Sequence, residues 1–362
     1  MNLMEDTISR KQAGRRSADA FWEWFEINEG RFREAEGDAP KVSAFLDELM
    51  ARLQLFNRWL KVLIGPYARG QWELIITADA DIALFSRVEE LVSAAPALKG
   101  WKFTALKPGF GLDQIRIDMY DREFSARTMQ FYPEINPVYP DKIKIVLVHK
   151  EYDPAKADEF RMGSFILVEN GIGELAAATR IDEYHVRSFP AEAEGIGLIP
   201  LDKLDKYLAW REKEFIEKYE HVGNVRPKGQ WGVLEGKTLD DHLIFAAVNR
   251  AYKDWEFKPA YPWLGMVEIR YRGDKRGLPS EAQFREMDQM EKDIVSLLPP
   301  EKVIHAGHTT INHCRTVYLF TSDYRAIANP VMDYVEEKGK TPYKMEFFIR
   351  KDKYWEGLGD FA

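Results

Sequence analysis

The chain has 362 residues, 45% of them hydrophobic and 30% charged, and this length and composition allow two domains with packed cores rather than a disordered chain. Its net charge of -8 lies entirely in residues 1–222, because residues 223–362 carry 21 basic and 21 acidic side chains. Neither part is basic, which disfavours non-specific binding to nucleic acid.

The N-terminus mixes charges and lacks the apolar core of a secretory signal, and no apolar run approaches the roughly 20 residues that span a bilayer. Cys314 is the single cysteine, so no internal disulfide can form. We therefore predict a cytoplasmic protein with no membrane partner.

Residues 1–222 are predicted to form the larger domain, a mixed α+β sandwich. Apolar periodicity predicts helices at residues 18–29, 42–63, 82–94, 154–177 and 201–219, and strands at residues 72–78, 101–106, 115–119, 128–132, 143–148 and 180–189. Asp81 is the predicted N-cap of the third helix, and the elements on either side of that helix form a predicted βαβ unit. Residues 1–16 are polar and predicted to be frayed.

Residues 223–362 are predicted to form a second α+β domain, after a Pro- and Gly-containing linker at residues 223–229. A hairpin around Asp240 and Asp241 comes first. The order strand, helix, strand, strand, helix, strand is then predicted at residues 264–271, 281–298, 303–309, 316–321, 325–338 and 343–350. Ser280 and Gln283 have the spacing of a capping box. This order is typical of the ferredoxin-like arrangement, a four-stranded antiparallel sheet with two helices on one face.

Several short motifs of this second domain occur in a recognisable order. They are Trp231 with its hairpin, Tyr261-Pro262-Trp263 before a strand, Arg276-Gly277-Leu278-Pro279 before a helix, and residues 307–309 followed by Arg315, Tyr318 and Asp323. In these motifs the segment resembles the uncharacterised family called domain of unknown function 695. The N-terminal part, with residues 21–25, 73–77 and 101–103, is similar to the segment that precedes this domain in some bacterial members.

The resemblance brings no active site with it. It implies a regulatory or binding role, because some members are joined to a domain similar to the regulator of ribonuclease E inhibition.

One basic cluster is the candidate ligand-binding site. It comprises Arg270, Arg272, Lys275 and Arg276 around a strand end and the following loop, with Arg315 expected nearby on a neighbouring strand. A helix N-terminus beside such a loop can hold an anion or an acidic partner segment. The alternative is a solvated loop whose charge is balanced by Asp274 and Glu268.

His305, His308, His313 and Cys314 are the residue types that bind zinc. Their spacing matches no common zinc motif, and regular strand alternation predicts that His305 and His308 point to opposite faces. We therefore predict neither a metal ion nor another cofactor.

No catalytic motif is evident. The segment Gly236-Lys237-Thr238 resembles the end of a P-loop, but Trp231 occupies the position of the required glycine. The acidic pair Asp79 and Asp81 lies where turns and helix caps need Asp.

These observations favour a non-enzymatic module that binds or regulates a protein partner. The alternative is an enzyme or sensor that holds a small anionic ligand in a cleft between the domains. A third hypothesis, binding of single-stranded RNA on the sheet face, would use Tyr271, Tyr318 and Phe348, and the neutral charge of the C-terminal part weighs against it.

Overall fold

The structure is a computed structural model that describes residues 3–68, 70–189, 197–220, 226–237, 242–338 and 342–361, with the backbone alone for residues 3–17, 360 and 361. The chain divides into two compact units, Met1–Lys213 and Glu214–Ala362. Each unit contains both helices and strands, so the mixed α+β class is confirmed. The domain boundary at residue 222 stays a prediction, since residues 221–225 lie outside the described ranges.

The helices of the first unit are α1 (Leu3–Glu34), α2 (Ala39–Phe56), α3 (Ile82–Ser93), α4 (Ala157–Ile172), α5 (Glu174–Arg180) and α6 (Leu204–Tyr219), and the unit boundary falls within α6. Its strands are β1 (Lys61–Ala68), β2 (Gln71–Thr77), β3 (Trp101–Ala105), β4 (Arg116–Met119), β5 (Arg122–Ser125), β6 (Met129–Pro133), β7 (Lys144–His149), β8 (Glu183–Arg187) and β9 (Ile199–Pro200). None of the helices in the described part of the chain is both long enough and apolar enough to cross a membrane.

The first sheet has the order β1-β2-β3. β2 and β3 are parallel and joined by α3, which confirms the predicted βαβ unit. Asp81 caps α3 as predicted, since its carboxylate accepts from the Ala83 amide at 3.1 Å. β1 was not predicted, because its first residues fall within the helix predicted at residues 42–63. In the structure that helix ends at Phe56, since the next residue, Asn57, adopts an extended backbone with φ -153°.

The second sheet of this unit has the order β8-β7-β6-β9, and β4 and β5 form a separate hairpin. The helix predicted at residues 154–177 is broken at Gly173, which has φ +91°. A side chain there would clash with the chain at Gly109, whose amide nitrogen lies 2.9 Å from the position of a Cβ atom on Gly173. The break therefore follows from the close approach of two backbones.

The helix predicted at residues 18–29 also begins earlier than expected, since α1 starts at Leu3 and includes most of the segment predicted to be frayed. From Ala18 onward its inner face packs aromatic side chains on the first sheet. Phe25, for example, contacts Trp101 and Phe103 edge to face at centroid distances of 5.0 and 5.5 Å.

The second unit contains β10 (Trp231–Lys237), β11 (Leu243–Asn249), β12 (Trp263–Arg270), α7 (Glu281–Ser296), β13 (Val303–Ile311), β14 (Cys314–Thr321), α8 (Arg325–Lys338) and β15 (Lys344–Lys351). These strands form one antiparallel sheet in the order β10-β11-β13-β14-β12-β15. The capping box at α7 is confirmed, with Ser280 and Gln283 each accepting from the other's backbone amide. The hairpin turn predicted at Asp240 and Asp241 lies outside the described residues.

The two faces of this sheet are covered differently. α7 contacts one face through Asp288 and the buried Arg315, and α8 approaches Gly265 on the same face through Ile327. On the other face Trp355 stacks on Phe320 at 3.9 Å. Trp355 is almost fully buried, as expected for a docked C-terminal segment.

Candidate functional site

The basic cluster expected from the sequence is only partly assembled. Arg270 at the end of β12 contacts Glu268 and Glu346, and Arg276 pairs with Asp274. Arg272 and Lys275 are exposed and form no ion pair within the described residues.

Arg315 does not join that cluster. Cα pairing sets Ile269 opposite Arg315 and Arg270 opposite Cys314, so Arg270 and Arg315 belong to opposite faces of the sheet. Arg315 is fully buried beneath α7. Arg270 at the strand end and the three basic residues of the loop are all exposed, which corresponds to the solvated alternative.

The loop itself is well ordered by hydrogen bonds. The Asp274 carboxylate accepts from the amides of Arg276 and Leu278 at 2.8 and 2.9 Å, and the Tyr271 hydroxyl donates to the Gly277 carbonyl at 2.8 Å. The bonds from Leu278 and Arg276 hold the pKa of Asp274 below its usual value. The negative charge of Asp274 is thus fixed in the middle of the basic loop, which disfavours a second anion there.

The expectation that His305 and His308 face opposite sides is wrong. β13 has a bulge at Ala306, where the pairing partner changes from Leu319 for His305 to Tyr318 for Gly307. The extra residue reverses the alternation, so both imidazoles reach the same carboxylate on α7. His305 Nε2 lies 2.8 Å from Glu291 Oε1, and His308 Nδ1 lies 2.8 Å from Glu291 Oε2.

Glu291 is a buried, ionised group. Burial by itself would raise its pKa, but the hydrogen bonds and charges of His305 and His308 lower it to about 2. The carboxylate therefore stays negative near neutral pH, with His308 Nδ1 at 3.0 Å and His305 Nε2 at 2.8 Å from its Oε1 atom. The two rings thus lie against the same carboxylate.

An ion pair between the buried Arg315 and the half-buried Asp288 lies next to this cluster. Arg315 Nη1 is 2.5 Å from Asp288 Oδ1 and 3.6 Å from Glu291 Oε2. The Arg315 guanidinium also stacks over the Phe284 ring at 4.6 Å. The carboxylates of Asp288 and Glu291 are thus already engaged by groups of the protein.

These side chains form one side of a surface pocket of about 430 Å³. The pocket exists because the β10–β11 hairpin extends the sheet beyond the edge that α7 covers. Its lining residues are Trp231, Ala247, Asp288, Glu291, Lys292, Val295, Ser296, His305 and His308. Trp231 forms one wall, with its ring centroid 5.3 Å from that of His305. We call this the histidine pocket.

The other two members of the His and Cys group lie elsewhere. His313 Nδ1 accepts from the Gly273 amide at 3.0 Å, and the Cys314 thiol contacts its own strand. Over the described ranges, no three His, Cys, Asp or Glu side chains are arranged to hold a metal ion. The chemistry offered by the histidine pocket is that of oriented imidazoles beside a buried carboxylate.

Sequence reasoning missed a second polar network, in the first unit. Glu174 is fully buried, and its carboxylate accepts from Thr77 Oγ1 at 2.6 Å and from the amides of Ala80 and Lys107 at 2.8 and 2.9 Å. These bonds hold Asp79, Ala80 and Leu106 at φ values of +50°, +66° and +63°. Glu174 thereby fixes strained turns at the carboxyl ends of β2 and β3.

The acidic pair Asp79 and Asp81 does not act as a unit in this network. Asp81 caps α3, whereas Asp79 contacts the ammonium groups of Lys61 and Lys107. Lys107 also lies 3.0 Å from Glu169, whose pKa is raised by burial and partly lowered again by Lys107. Asp79 lies about 90 residues before Glu169 and Glu174 in the chain, and no local pattern signals their meeting.

The aromatic residues proposed for RNA binding do not form a continuous surface. Tyr271 is buried, the Tyr318 hydroxyl contacts Thr309 at 3.1 Å, and Phe348 alone of the three is substantially exposed, at 45%. Stacking of successive bases needs several exposed rings.

Comparison with known proteins adds one finding. No curated protein and no solved structure matches the chain. A family of unknown function, DUF695, matches residues 230–361, which include the whole sheet of the second unit and the histidine pocket, and the match does not extend into the N-terminal segment. Residues 230–361 therefore carry a domain of the family of unknown function DUF695.

Proposed function

We propose that the protein is a binding module whose C-terminal domain holds a small anionic ligand in the histidine pocket. The observation that supports this most strongly is the shared carboxylate of Glu291, which orients His305 and His308 at 2.8 Å each. Two oriented rings in a pocket of about 430 Å³ suit a ligand of metabolite size.

The sign of the ligand charge follows from the groups left available. Glu291 is engaged by the two imidazoles and Asp288 by Arg315, so both carboxylates that line the pocket already have partners. The Lys292 ammonium lines the pocket and forms no ion pair among the described residues. This ammonium is available as a charged donor and favours a ligand with a phosphate, sulfate or carboxylate group.

A carboxylate-bound imidazole is also the usual form of a general base. If the bound ligand is hydrolysed, the protein is an enzyme. Analysis of the products distinguishes hydrolysis from binding alone. We infer binding as the primary function because, within the described residues, neither His305 nor His308 has a hydrogen bond with a Ser or Cys side chain, and the Ser296 hydroxyl of the pocket donates to the Asp293 carbonyl at 2.6 Å.

A thermal-shift screen with phosphate, sulfate and carboxylate metabolites tests the proposal. A ligand present at a hundred times its Kd should stabilise the protein by about 2.7 kcal/mol. We expect His305→Gln and His308→Gln to abolish the shift, and the exposed His185→Gln in β8 to retain it. A shift that survives both pocket substitutions would locate the ligand elsewhere.

A protein partner is a second candidate, which we infer from strand β10. Within the described residues β10 pairs on one side only, with β11, and it exposes Trp231 and Val233 at 54% and 80%. An extended partner segment can add to such an edge through backbone hydrogen bonds.

Capture of a partner from the native host, followed by mass spectrometry, tests this second candidate. Val233→Lys should abolish capture if the partner binds at β10, and Ile216→Lys, which changes another exposed apolar residue, should not. Equal capture by both variants would exclude β10 as the contact surface.

We also propose the finer assignments of fold and location. The antiparallel order β13-β14-β12-β15, with helices after β12 and β14, supports a ferredoxin-like arrangement extended by the β10–β11 hairpin. The sandwich arrangement of the N-terminal domain and a cytoplasmic location are proposals of the same kind, the latter supported by the free Cys314.

A further inference from the structure

A second cavity, of about 200 Å³, lies in the first unit between strands β7 and β8 and helices α4 and α5. Ile145, Leu147 and Val168 are core side chains that form its floor, and Phe165 and Tyr184 stand beside it with ring centroids 6.4 Å apart. It shares no residue with the histidine pocket.

The cavity exists because the helix is interrupted at Gly173. The short helix α5 that follows presents Ala177 and Ala178 toward the strands. Two methyl groups fill little of the space between a helix and a sheet, so an unfilled volume remains.

Two hydroxyl groups border this otherwise apolar volume. Ser164 is fully buried, and within the described residues its hydroxyl has only the Met129 sulfur, 4.0 Å away, as a partner. A thioether is a weak acceptor. The Tyr184 hydroxyl forms no hydrogen bond with the described residues, and burial raises its pKa, which keeps it protonated as a donor.

The charges around the cavity disfavour an anion. Its lining includes Asp182 and Glu183 but no Lys, Arg or His side chain. Asp182 accepts from the Ile143 amide at 2.6 Å, which holds that carboxylate at the mouth. Glu183 lies 3.6 Å from Lys142 and from Lys144, so these cations are already engaged, and a ligand carboxylate would lose its hydration without gaining an ion-pair partner among the lining residues.

We propose that this cavity is a binding site for a small neutral molecule with a single aromatic ring and one hydroxyl group, the class represented by phenol. An apolar protein cavity of about 150 Å³ is large enough for benzene, so this one accommodates the ring with room for a polar substituent. The ligand hydroxyl lies toward Tyr184, and the ring contacts Leu147 and Val168.

The test uses phenol, benzene and benzoate as probes of the full-length protein, with binding measured by ligand-observed NMR and calorimetry. We expect phenol to bind, benzene to bind more weakly, and benzoate to bind at least about tenfold more weakly than phenol, since one uncompensated charge costs more than about 1.4 kcal/mol. Benzoate binding as tight as that of phenol, or no binding of phenol, would overturn the proposal.

Two variants locate the site. Ala178→Leu fills the cavity and should abolish phenol binding, whereas Ala97→Leu makes the same change at an exposed position and should not; circular dichroism checks that both fold. Tyr184→Phe preserves the volume and should weaken phenol binding without weakening benzene binding, with Tyr132→Phe as its control. Unchanged phenol binding in Tyr184→Phe, or in a folded Ala178→Leu protein, would contradict the assignment.

Discussion

Glu291 Oε1 and His305 Nε2 lie 2.8 Å apart, although regular alternation from His308 would turn His305 to the other face of the sheet. The contact depends on the bulge at Ala306, which brings His305 to the same face as His308. Specific consequences for stability and pH dependence follow from this cluster and from its counterpart in the first unit.

The first prediction concerns acid stability. Glu291 has a pKa of about 2 in the folded protein and an ordinary value of 4.5, so its ionised form stabilises the fold above pH 4.5 and this stabilisation is lost as the pH falls toward 2. Glu291→Gln should therefore lower the free energy of unfolding near neutral pH, by at most about 3 kcal/mol, and should flatten its decline in acid. Urea unfolding over that pH range measures both effects.

The control for this prediction is Glu281→Gln, at an exposed position in the first turn of α7. It should shift stability by less than about 1 kcal/mol. If the free energy of unfolding of Glu291→Gln declines in acid as steeply as that of the unsubstituted protein, Glu291 is not the titrating group.

The second prediction concerns the bulge. Gly307 has φ +141°, and a Cβ atom there would lie 2.2 Å from the Ala247 carbonyl oxygen. Gly307→Ala should lower the free energy of unfolding by about 2 kcal/mol or more, because strained backbone and a steric clash act together. Gly236→Ala is the control in the same sheet, because a Cβ atom at Gly236 would lie 3.6 Å from its nearest neighbour, a methyl group of Ile244. It should lower the free energy of unfolding by less than half as much. Equal losses of Tm in the two variants would refute the role assigned to Gly307.

The third prediction concerns Glu174. Glu174→Ala removes the acceptor of several buried donors and should destabilise the first unit by about 3 kcal/mol or more, and Glu174→Gln should cost less because its carbonyl keeps some of these bonds. Leu175→Ala, at the next and exposed position, is the control. Hydrogen exchange of the Ala80 and Lys107 amides should increase in the Glu174 variants, and unchanged exchange would contradict the assigned role.

The fourth prediction concerns the docked C-terminal segment. Trp355 is buried and stacks on Phe320, so Trp355→Ala should destabilise the second unit by about 3 to 5 kcal/mol. Trp210, which is 56% exposed, provides the comparison, and Trp210→Ala should change Tm little. A similar loss of Tm in Trp355→Ala and Trp210→Ala would indicate that Trp355 does not hold the C-terminal segment in place.

Much of the secondary structure follows from local signals. The capping box at Ser280 and the N-cap at Asp81 fix helix starts because a side-chain oxygen satisfies free amides close by in sequence. β1 was missed because the helical apolar spacing of the preceding segment was extended to residue 63, and β1 has no buried side chain that would mark it as a strand.

The candidate site was harder to predict because it depends on an irregularity. The sequence identified His305 and His308, but the alternation rule assumes a strand without a bulge, and Gly307 was the one local sign of such an irregularity. Glu291 reads as an ordinary surface residue of an amphipathic helix, since its partners lie on the following strand. Arg315 was assigned to the wrong cluster because strand order alone does not decide which face a side chain occupies.

The most direct test of the proposed function is a two-dimensional NMR spectrum of the imidazole nitrogens, recorded while inorganic phosphate is added to histidine-labelled protein. If the histidine pocket binds anions, the resonances of His305 and His308, assigned by their Gln variants, will shift and saturate together while those of His185 stay in place. Resonances of His305 and His308 that do not move, or that move in parallel with His185, would contradict the account.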